Sequence, residues 1–185
     1  MTKIFIAGSM NIKCLDPKVT KLIDDIITKN CDVVVGDAKG VDTSIQSYLF
    51  ERGVQNVVVY CSGPSPRNNL GNWTVSSVSA DFTPGSRAFF TAKDIQMAQD
   101  ADYGLMIWDT KSTGTLSNVI ELLKNNKECV VFINKIKKIK TISDVTALEE
   151  LIIYMSDHAL IKADKKIGLL KNIDEIKHHQ LQMFA

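Results

Sequence analysis

The stretch Trp108-Asp109-Thr110-Lys111-Ser112-Thr113-Gly114-Thr115 separates two segments of different periodicity. Before it, residues 103–108 form an apolar run typical of a short buried strand. After it, apolar residues recur at helical spacing at Leu116, Val119, Ile120 and Leu123. A strand that ends in Ser-Thr-Gly-Thr and opens a helix places backbone N–H groups and hydroxyls at the positive end of the helix dipole. Because such an end binds phosphate, we predict four phosphate ligands: Ser112, Thr113, Gly114 and Thr115.

Two further glycine-containing turns follow predicted strands. Gly8-Ser9 ends the strand at residues 3–7, and a turn from Gly36 to Asp42 ends the strand at residues 32–35. In an open α/β sheet, ligands bind beyond the carboxyl ends of the strands, where the strand order reverses. For an order 3-2-1-4-5, the turns after strands one and four border that crevice. The predicted ligand residues there are Gly8, Ser9, Gly36, Asp37, Gly40 and Asp42, with helix capping as the alternative role of Asp42.

The pattern along the chain predicts an α/β fold with a mainly parallel, five-stranded sheet and helices on both faces. Short β-branched runs alternate with amphipathic helical segments. The strands are predicted at residues 3–7, 32–35, 56–60, 103–108 and 128–133. Residues 61–87 are dense in turn formers and are interpreted as a long functional loop that carries Arg67 as a ligand contact.

The length of 185 residues fits one domain with a terminal extension. We predict a ligand-binding domain at residues 1–140. Residues 141–185 then form a C-terminal helical extension, because their apolar positions follow helical spacing. This extension is predicted to pack on the domain or on a partner subunit, and the second arrangement would give a homodimer.

The composition of the chain limits which partners and which cellular compartment we expect. Twenty-two basic residues stand against 21 acidic ones, and this balance predicts that a nucleic acid is not a partner. The amino-terminal residues do not resemble a signal peptide, and no apolar run is long enough to span a membrane, so we expect a cytoplasmic protein. No Gly-x-Gly-x-x-Gly or Walker A pattern follows a strand, so no cofactor is predicted. No metal site is predicted either.

Charged residues on either side of the fourth predicted strand supply candidates for chemistry. Arg87 and Lys93 lie on the helix before strand four, where either side chain could bind a phosphate; solvent exposure is the alternative for both. Asp94, Asp109 and Asp37 are the carboxylates nearest the predicted crevice, and of these Asp94 and Asp109 are the candidate catalytic residues. The indoles of Trp73 and Trp108 are candidates for stacking on a base, or for packing in the core.

Four motifs in order make the chain resemble the SLOG superfamily over residues 3–133. This Rossmann-like group includes the LOG-type phosphoribohydrolases and the DNA-processing protein A domain. The matching residues are Gly8-Ser9, Val35-Gly36-Asp37-Ala38-Lys39-Gly40-Val41-Asp42, Lys93-Asp94-x-x-Met97 with Ala101-Asp102, and Gly114-Thr115. The resemblance implies a Rossmann-like three-layer sandwich that binds a nucleotide-type ligand.

One departure from the LOG-type enzymes divides two hypotheses for function. Those enzymes carry a glutamate for glycosidic-bond hydrolysis where this chain has Asn118. The favoured hypothesis is a module, such as a sensor, that binds a nucleotide or a nucleotide-derived small molecule. The alternative is a hydrolase of N-glycosidic bonds, in which Asp94 or Asp109 replaces the glutamate and Lys93 or Arg87 binds the phosphate.

Overall fold

The computed structural model describes residues 1–79 and 82–183. Its strands form one seven-stranded sheet. They are β1 (Lys3–Gly8), β2 (Asp32–Gly36), β3 (Val57–Ser62), β4 (Thr74–Val78), β5 (Tyr103–Trp108), β6 (Cys129–Ile133) and β7 (Lys138–Ile142). The order across the sheet is β4-β3-β2-β1-β5-β6-β7, and every neighbouring pair is parallel except β6 and β7. The predicted α/β class with a mainly parallel sheet is confirmed.

Helices cover both faces of this sheet. They are α1 (Pro17–Thr28), α2 (Val41–Glu51), α3 (Arg87–Asp100), α4 (Thr113–Lys124), α5 (Val145–Ile152), α6 (Asp157–Ile167) and α7 (Leu169–Met183). Successive side chains of β1 enter different hydrophobic clusters, because side chains alternate across a strand. Ile4 and Ile6 pack with α1 and α2, whereas Phe5 and Ala7 pack with the cluster of α3 to α7. None of the described helices is both long and apolar enough to cross a membrane.

The predicted count of five strands is wrong, because two edge strands escape the sequence pattern. β4 lies inside residues 61–87, which the sequence pattern predicts to be a loop. It consists mostly of serine and threonine, with Thr74 and Val75 exposed. β7 lies at the other edge and carries lysines, with Ile142 buried. An edge strand has one free side and needs little apolar surface. Neither segment therefore shows the apolar run of a central strand.

The three C-terminal helices pack on the same core as α3 and α4. Leu148 of α5, Ala163 of α6 and Ile173 of α7 are buried in that cluster. α6 lies against α4, whose first turn follows β5. Residues of the C-terminal helices therefore come close to the carboxyl end of the sheet. The domain boundary at residue 140 stays a prediction.

The strand order reverses between β1 and β5. Chain connections run from β1 toward β4 on one side and from β5 toward β7 on the other. In the parallel register of this pair, Gly8 stands opposite Ile107, so both strands end at the same height. A crevice forms at such a point because the connecting helices diverge to opposite faces. The turns that follow β1 and β5 border it.

Candidate functional site

A cavity of about 640 Å³ opens where β1 and β5 end. Its wall combines the turn after β1, the β2–α2 turn, α3, the first turns of α4 and one side of α6. Five cationic side chains and two carboxylates line it. Ten of the predicted site residues are in the wall: Gly8, Ser9, Asp42, Arg67, Lys93, Asp94, Ser112, Thr113, Gly114 and Thr115.

Asp109 holds the turn between β5 and α4 in place. Its Oδ1 accepts from the backbone N–H groups of Lys111 at 3.0 Å and Ser112 at 2.6 Å. Its Oδ2 accepts from the Ser9 hydroxyl at 2.7 Å and the Asn11 amide at 3.1 Å. Burial alone would raise the pKa of Asp109, but these hydrogen bonds outweigh burial and hold the pKa below its ordinary value. Asp109 thus ties two turns together and does not line the cavity.

The first turn of α4 presents unused donors to the cavity. Ser112 caps the helix, since its hydroxyl accepts from the Thr115 N–H at 3.4 Å. The N–H groups of Thr113 and Gly114 have no hydrogen-bond partner among the described residues. A Cβ atom on Gly114 would meet nothing within 4 Å, so packing does not require glycine there. Free N–H groups at the positive end of a helix suit an anion.

Gly8 allows β1, β5 and α2 to meet at the cavity. A Cβ atom on Gly8 would collide with the Ile107 carbonyl oxygen and lie 2.9 Å from both γ-carbons of Val41. Ser9, which follows, is fully buried, and its carbonyl accepts from the Val41 N–H at 3.2 Å. The turn after β1 is therefore fixed on both sides, and it forms part of the wall.

The two glycines of the β2–α2 turn lie beneath the wall and do not line it. A Cβ atom on Gly36 would collide with the Asp42 carboxylate and lie 2.8 Å from Nζ of Lys93. Gly40 has φ +79°, and a Cβ atom there would collide with the backbone of Met10. Both positions therefore require glycine for close packing. Their predicted role as ligand contacts stays a prediction.

Lys93 is a buried cation surrounded by carboxylates. Only 4% of the residue is exposed, and its Nζ lies 2.7 Å from the Asp94 carboxylate and 3.9 Å from that of Asp37. Burial would lower the pKa of Lys93, but the negative charges of Asp94, Asp42 and Asp37 outweigh burial and raise it. Lys93 is therefore charged at neutral pH, and the surrounding carboxylates offset much of its positive charge.

Asp42 lies in the first turn of α2, where it accepts from the Ala38 N–H at 3.2 Å. The N-cap residue of α2 is Gly40, so Asp42 does not cap this helix. Burial raises the pKa of Asp42 to about 6, although the Lys93 ammonium opposes the increase. Its carboxyl group therefore titrates near neutral pH.

Replacement of Asp42 by Asn is expected to change how stability depends on pH. A carboxyl whose pKa rises from 3.8 to about 6 on folding stabilises the fold most below pH 3.8 and loses that effect as the pH rises through 6. Relative to Asp42→Asn, the wild type should lose about 2.4 kcal/mol between pH 4 and pH 7, at about 1.4 kcal/mol per pKa unit. Urea unfolding across that range measures the difference. The control Asp25→Asn, on exposed α1 surface, should show no such trend, and a parallel pair of profiles for Asp42→Asn would contradict the assignment.

Arg67 is held flat in the wall by Asp37 and Phe90. Its Nε and Nη2 donate to the two Asp37 carboxylate oxygens at 3.0 and 2.6 Å. Its guanidinium carbon lies 4.5 Å from the centre of the Phe90 ring. Burial would raise the pKa of Asp37, but hydrogen bonds from Arg67 and the charge of Lys93 hold it below its ordinary value. Because 43% of the Arg67 side chain is exposed, it remains accessible to a ligand.

Some predicted residues lie away from the cavity. Arg87 is the first residue of α3 and is exposed outside the wall. The Trp73 indole donates to the Val54 carbonyl at 2.8 Å, and the Trp108 indole donates to the Ser112 carbonyl at 3.1 Å. Both tryptophans are buried and neither lines the cavity.

The wall also contains residues that the sequence did not identify as ligand contacts. They are Ala7, Met10, Asn11, Ala38, Phe90, Lys111, Asn118, Lys162 and Lys166. Lys111 is part of the turn quoted first, so its position was a usable signal. Lys162 and Lys166 are four residues apart on α6 and therefore share a helix face. The approach of that face to the cavity depends on tertiary packing, which the sequence pattern does not show.

Within residues 1–79 and 82–183, no three His, Cys, Asp or Glu side chains are grouped in a way that could hold a metal ion. The cysteines are free thiols; Cys61 and Cys129 are buried and Cys14 is exposed. Burial raises the pKa of Cys129 to about 12. This thiol is therefore protonated at neutral pH, as expected of a structural cysteine.

Comparison with known proteins identifies the fold. No model of a protein family matches the chain, and no curated protein does. DNA processing protein A from Helicobacter pylori matches with 22% identity and a TM-score of 0.53, over 70% of this chain and 64% of its own. The Streptococcus pneumoniae protein matches with 17% identity and a TM-score of 0.54, over 87% and 61%. The chain thus spans less than two thirds of both structures, and the likeness shows a shared fold.

The prediction that a nucleic acid is not a partner is wrong. The Helicobacter pylori protein of this fold binds single-stranded DNA. The prediction used the charge of the whole chain, which is +1. The cavity instead collects five cationic side chains against two carboxylates. A near-zero total charge is therefore no argument against a polyanionic ligand.

Proposed function

We propose that the protein binds a nucleotide or a nucleotide-derived small molecule, with a phosphate at the first turn of α4. The observation that carries this proposal is the pair of unpartnered N–H groups of Thr113 and Gly114 in the wall of the cavity. Thr113 also carries a hydroxyl, and this residue lines the wall. Asp109 fixes this turn through four hydrogen bonds, so the donors keep their arrangement before a ligand arrives.

The rest of the wall offers contacts for a base and a sugar. Arg67 stacks over Phe90, and planar groups of this kind stack well on nucleobases. Asp94 is partly exposed and accepts from Lys93, which leaves it further acceptor capacity for a sugar hydroxyl. In this arrangement the ligand extends from α4 toward α3.

Binding without hydrolysis has the stronger support of the two hypotheses. Both oxygens of Asp109 already accept hydrogen bonds from the protein, and Asp94 pairs with Lys93 at 2.7 Å. In the wall, Asn118 supplies an uncharged amide, which neither ionises nor acts as a general base at neutral pH. These features favour a binding role such as that of a sensor.

Single-stranded DNA is a second candidate ligand. Its support is the fold shared with the Helicobacter pylori protein that binds single-stranded DNA. The cations of the cavity would suit a DNA phosphate as well as a nucleotide phosphate. A short oligo(dT) therefore belongs in every binding experiment.

The test is a thermal-shift and calorimetry panel of nucleoside mono-, di- and triphosphates, NAD, ADP-ribose and oligo(dT). We expect a nucleotide to stabilise the fold by about 2.7 kcal/mol at 100 times its Kd, because it binds the folded chain alone. Adenosine, which lacks phosphate, is the matched control ligand and should have little effect. Chromatography of the same mixtures detects free base.

Each result decides one point. Stabilisation by a nucleotide without release of base supports binding and removes hydrolysis of that compound. Release of free base would overturn the binding hypothesis in favour of a hydrolase of N-glycosidic bonds. Binding of oligo(dT) alone would favour the DNA candidate, and silence of the whole panel would contradict the proposed function.

A further inference from the structure

Two lysines of α6 stand at the cavity without partners. Lys162 and Lys166 line its wall and are exposed, and neither ammonium group forms an ion pair or hydrogen bond with a described residue. They lie one helical turn apart, so their side chains can reach one anion together. Lys111, on the β5–α4 turn, lines the same cavity and is equally unpaired.

Small side chains bring α6 close to α4. Ala159 and Ala163 are buried, with 4% and 0% exposure, and they share a helix face with Lys162 and Lys166 through the spacing i, i+3, i+4, i+7. α6 contacts α4. The small alanine side chains allow α6 to approach α4 closely. Lys162 and Lys166, which flank the alanines on the same face, therefore reach the cavity wall.

Asn118 gives independent evidence that the cavity is shaped for a polar ligand. It lies one turn beyond Thr115 on α4, lines the cavity, and is 6% exposed. The Asn118 carboxamide forms no hydrogen bond with any described residue. Among the described residues, however, no fully buried side-chain nitrogen or oxygen lacks a hydrogen-bond partner, so the Asn118 amide atoms are not fully buried. The amide atoms therefore remain accessible from the cavity. A largely buried amide without a protein partner is costly unless water or a ligand satisfies it.

The free cations exceed what one phosphate needs. The N–H groups of Thr113 and Gly114 already offer one anion site. Lys93 already forms ion pairs with Asp37 and Asp94, and Arg67 forms one with Asp37. The three lysines of the rim remain, and they have no acidic partner among the described residues.

We propose that Lys162 and Lys166, with Lys111 in the wall of the same cavity, form a second anion subsite. This inference rests on the proposed function: the ligand is a nucleoside that carries at least two phosphates. One phosphate lies at the first turn of α4 and the next lies against α6. The subsite belongs to the C-terminal extension, so the extension takes part in binding.

The test compares ligands with one and two phosphates by calorimetry on the full chain. The ligands are inorganic phosphate, pyrophosphate, AMP and ADP, and the variant is Lys162→Gln/Lys166→Gln. We expect the wild type to bind ADP at least about tenfold more tightly than AMP, since hydrogen bonds to charged groups are strong. In the variant, the ratio should fall to about 2, with AMP affinity unchanged within about twofold.

A matched control removes the same charge elsewhere. Lys165→Gln/Lys171→Gln changes two exposed lysines of α6 and α7 that do not line the cavity, and the ADP to AMP ratio should remain that of the wild type. Circular dichroism confirms the fold of both variants. Equal weakening of AMP and ADP in the first variant would overturn the subsite, because it would indicate general electrostatic attraction.

The remaining outcomes separate this inference from the proposed function. If AMP binds and ADP binds no more tightly, the second subsite is overturned and the proposed function stands. If pyrophosphate binding depends on the two lysines but no nucleotide binds, the subsite stands and the nucleoside is overturned. Tighter binding of oligo(dT) than of ADP, lost in the same variant, would assign the lysines to a DNA backbone and overturn the diphosphate. Absence of all binding overturns both proposals.

Discussion

Gly114→Asp is expected to weaken nucleotide binding about 100-fold and leave the fold at least as stable as the wild type. A Cβ atom at this position would meet nothing within 4 Å, and the residue lines the cavity. A carboxylate about 5 Å from a bound phosphate costs roughly 3 kcal/mol at an effective dielectric constant of about 20, or about 100-fold in Kd. The helix itself gains about 1 kcal/mol from loss of glycine and from an acidic group in its first turn.

The isosteric variant Gly114→Asn separates charge from size. It adds the same number of heavy atoms without the charge, so its Kd should stay much closer to that of the wild type. Calorimetry gives the three Kd values, and urea unfolding gives the three stabilities. Binding of a nucleotide by Gly114→Asp with wild-type affinity would place the phosphate elsewhere. Equal losses in both variants would indicate a steric effect.

Lys93→Met is expected to destabilise the fold by about 3–5 kcal/mol at pH 7, as removal of one partner from a buried ionic group does. Methionine fills a similar length, but it leaves the carboxylates of Asp37, Asp42 and Asp94 together without their buried cation. Lower pH should reduce the deficit, because the neighbouring carboxyls then bind protons. Urea unfolding at pH 5 and pH 7 measures both effects.

The variant Lys93→Met/Asp42→Asn tests the cause of this loss. Removal of one buried negative charge should recover part of the stability that Lys93→Met loses at pH 7. Lys165→Met, on the exposed side of α6, is the control and should change stability by no more than about 0.5 kcal/mol. A deficit below 1 kcal/mol in Lys93→Met, or one that does not depend on pH, would contradict a charged lysine in this cluster.

Local signals were enough to predict the centre of the fold and much of the cavity wall. The apolar runs of β1, β2 and β5 are those of buried parallel strands. The turns that follow them carry glycine and hydroxyl groups, and parallel strands bring their carboxyl ends to one edge. Gly8, Ser9 and the Ser112–Thr115 turn therefore lie together in the wall, as their order along the chain predicts.

Other features depend on contacts between distant residues. β4 and β7 are edge strands with little apolar character, so their sequences resemble loops. The role of Asp109 in tying two turns together depends on Ser9, 100 positions away. Lys162 and Lys166 reach the cavity because α6 packs on α4. No pattern within one segment contains such information, and overall charge masked the local excess of cations.

The fit of Gly36 beneath Asp42 and Lys93 has a consequence for sequence divergence. Any side chain at position 36 would enter the space of the Asp42 carboxylate and the Lys93 ammonium. A relative that replaces Gly36 must therefore displace Lys93. Without Lys93, the buried Asp42 carboxylate lacks the cation that compensates its charge. We expect positions 36, 42 and 93 to be inherited as a unit, although they lie on β2, α2 and α3. Relatives that retain one of the three should retain the others.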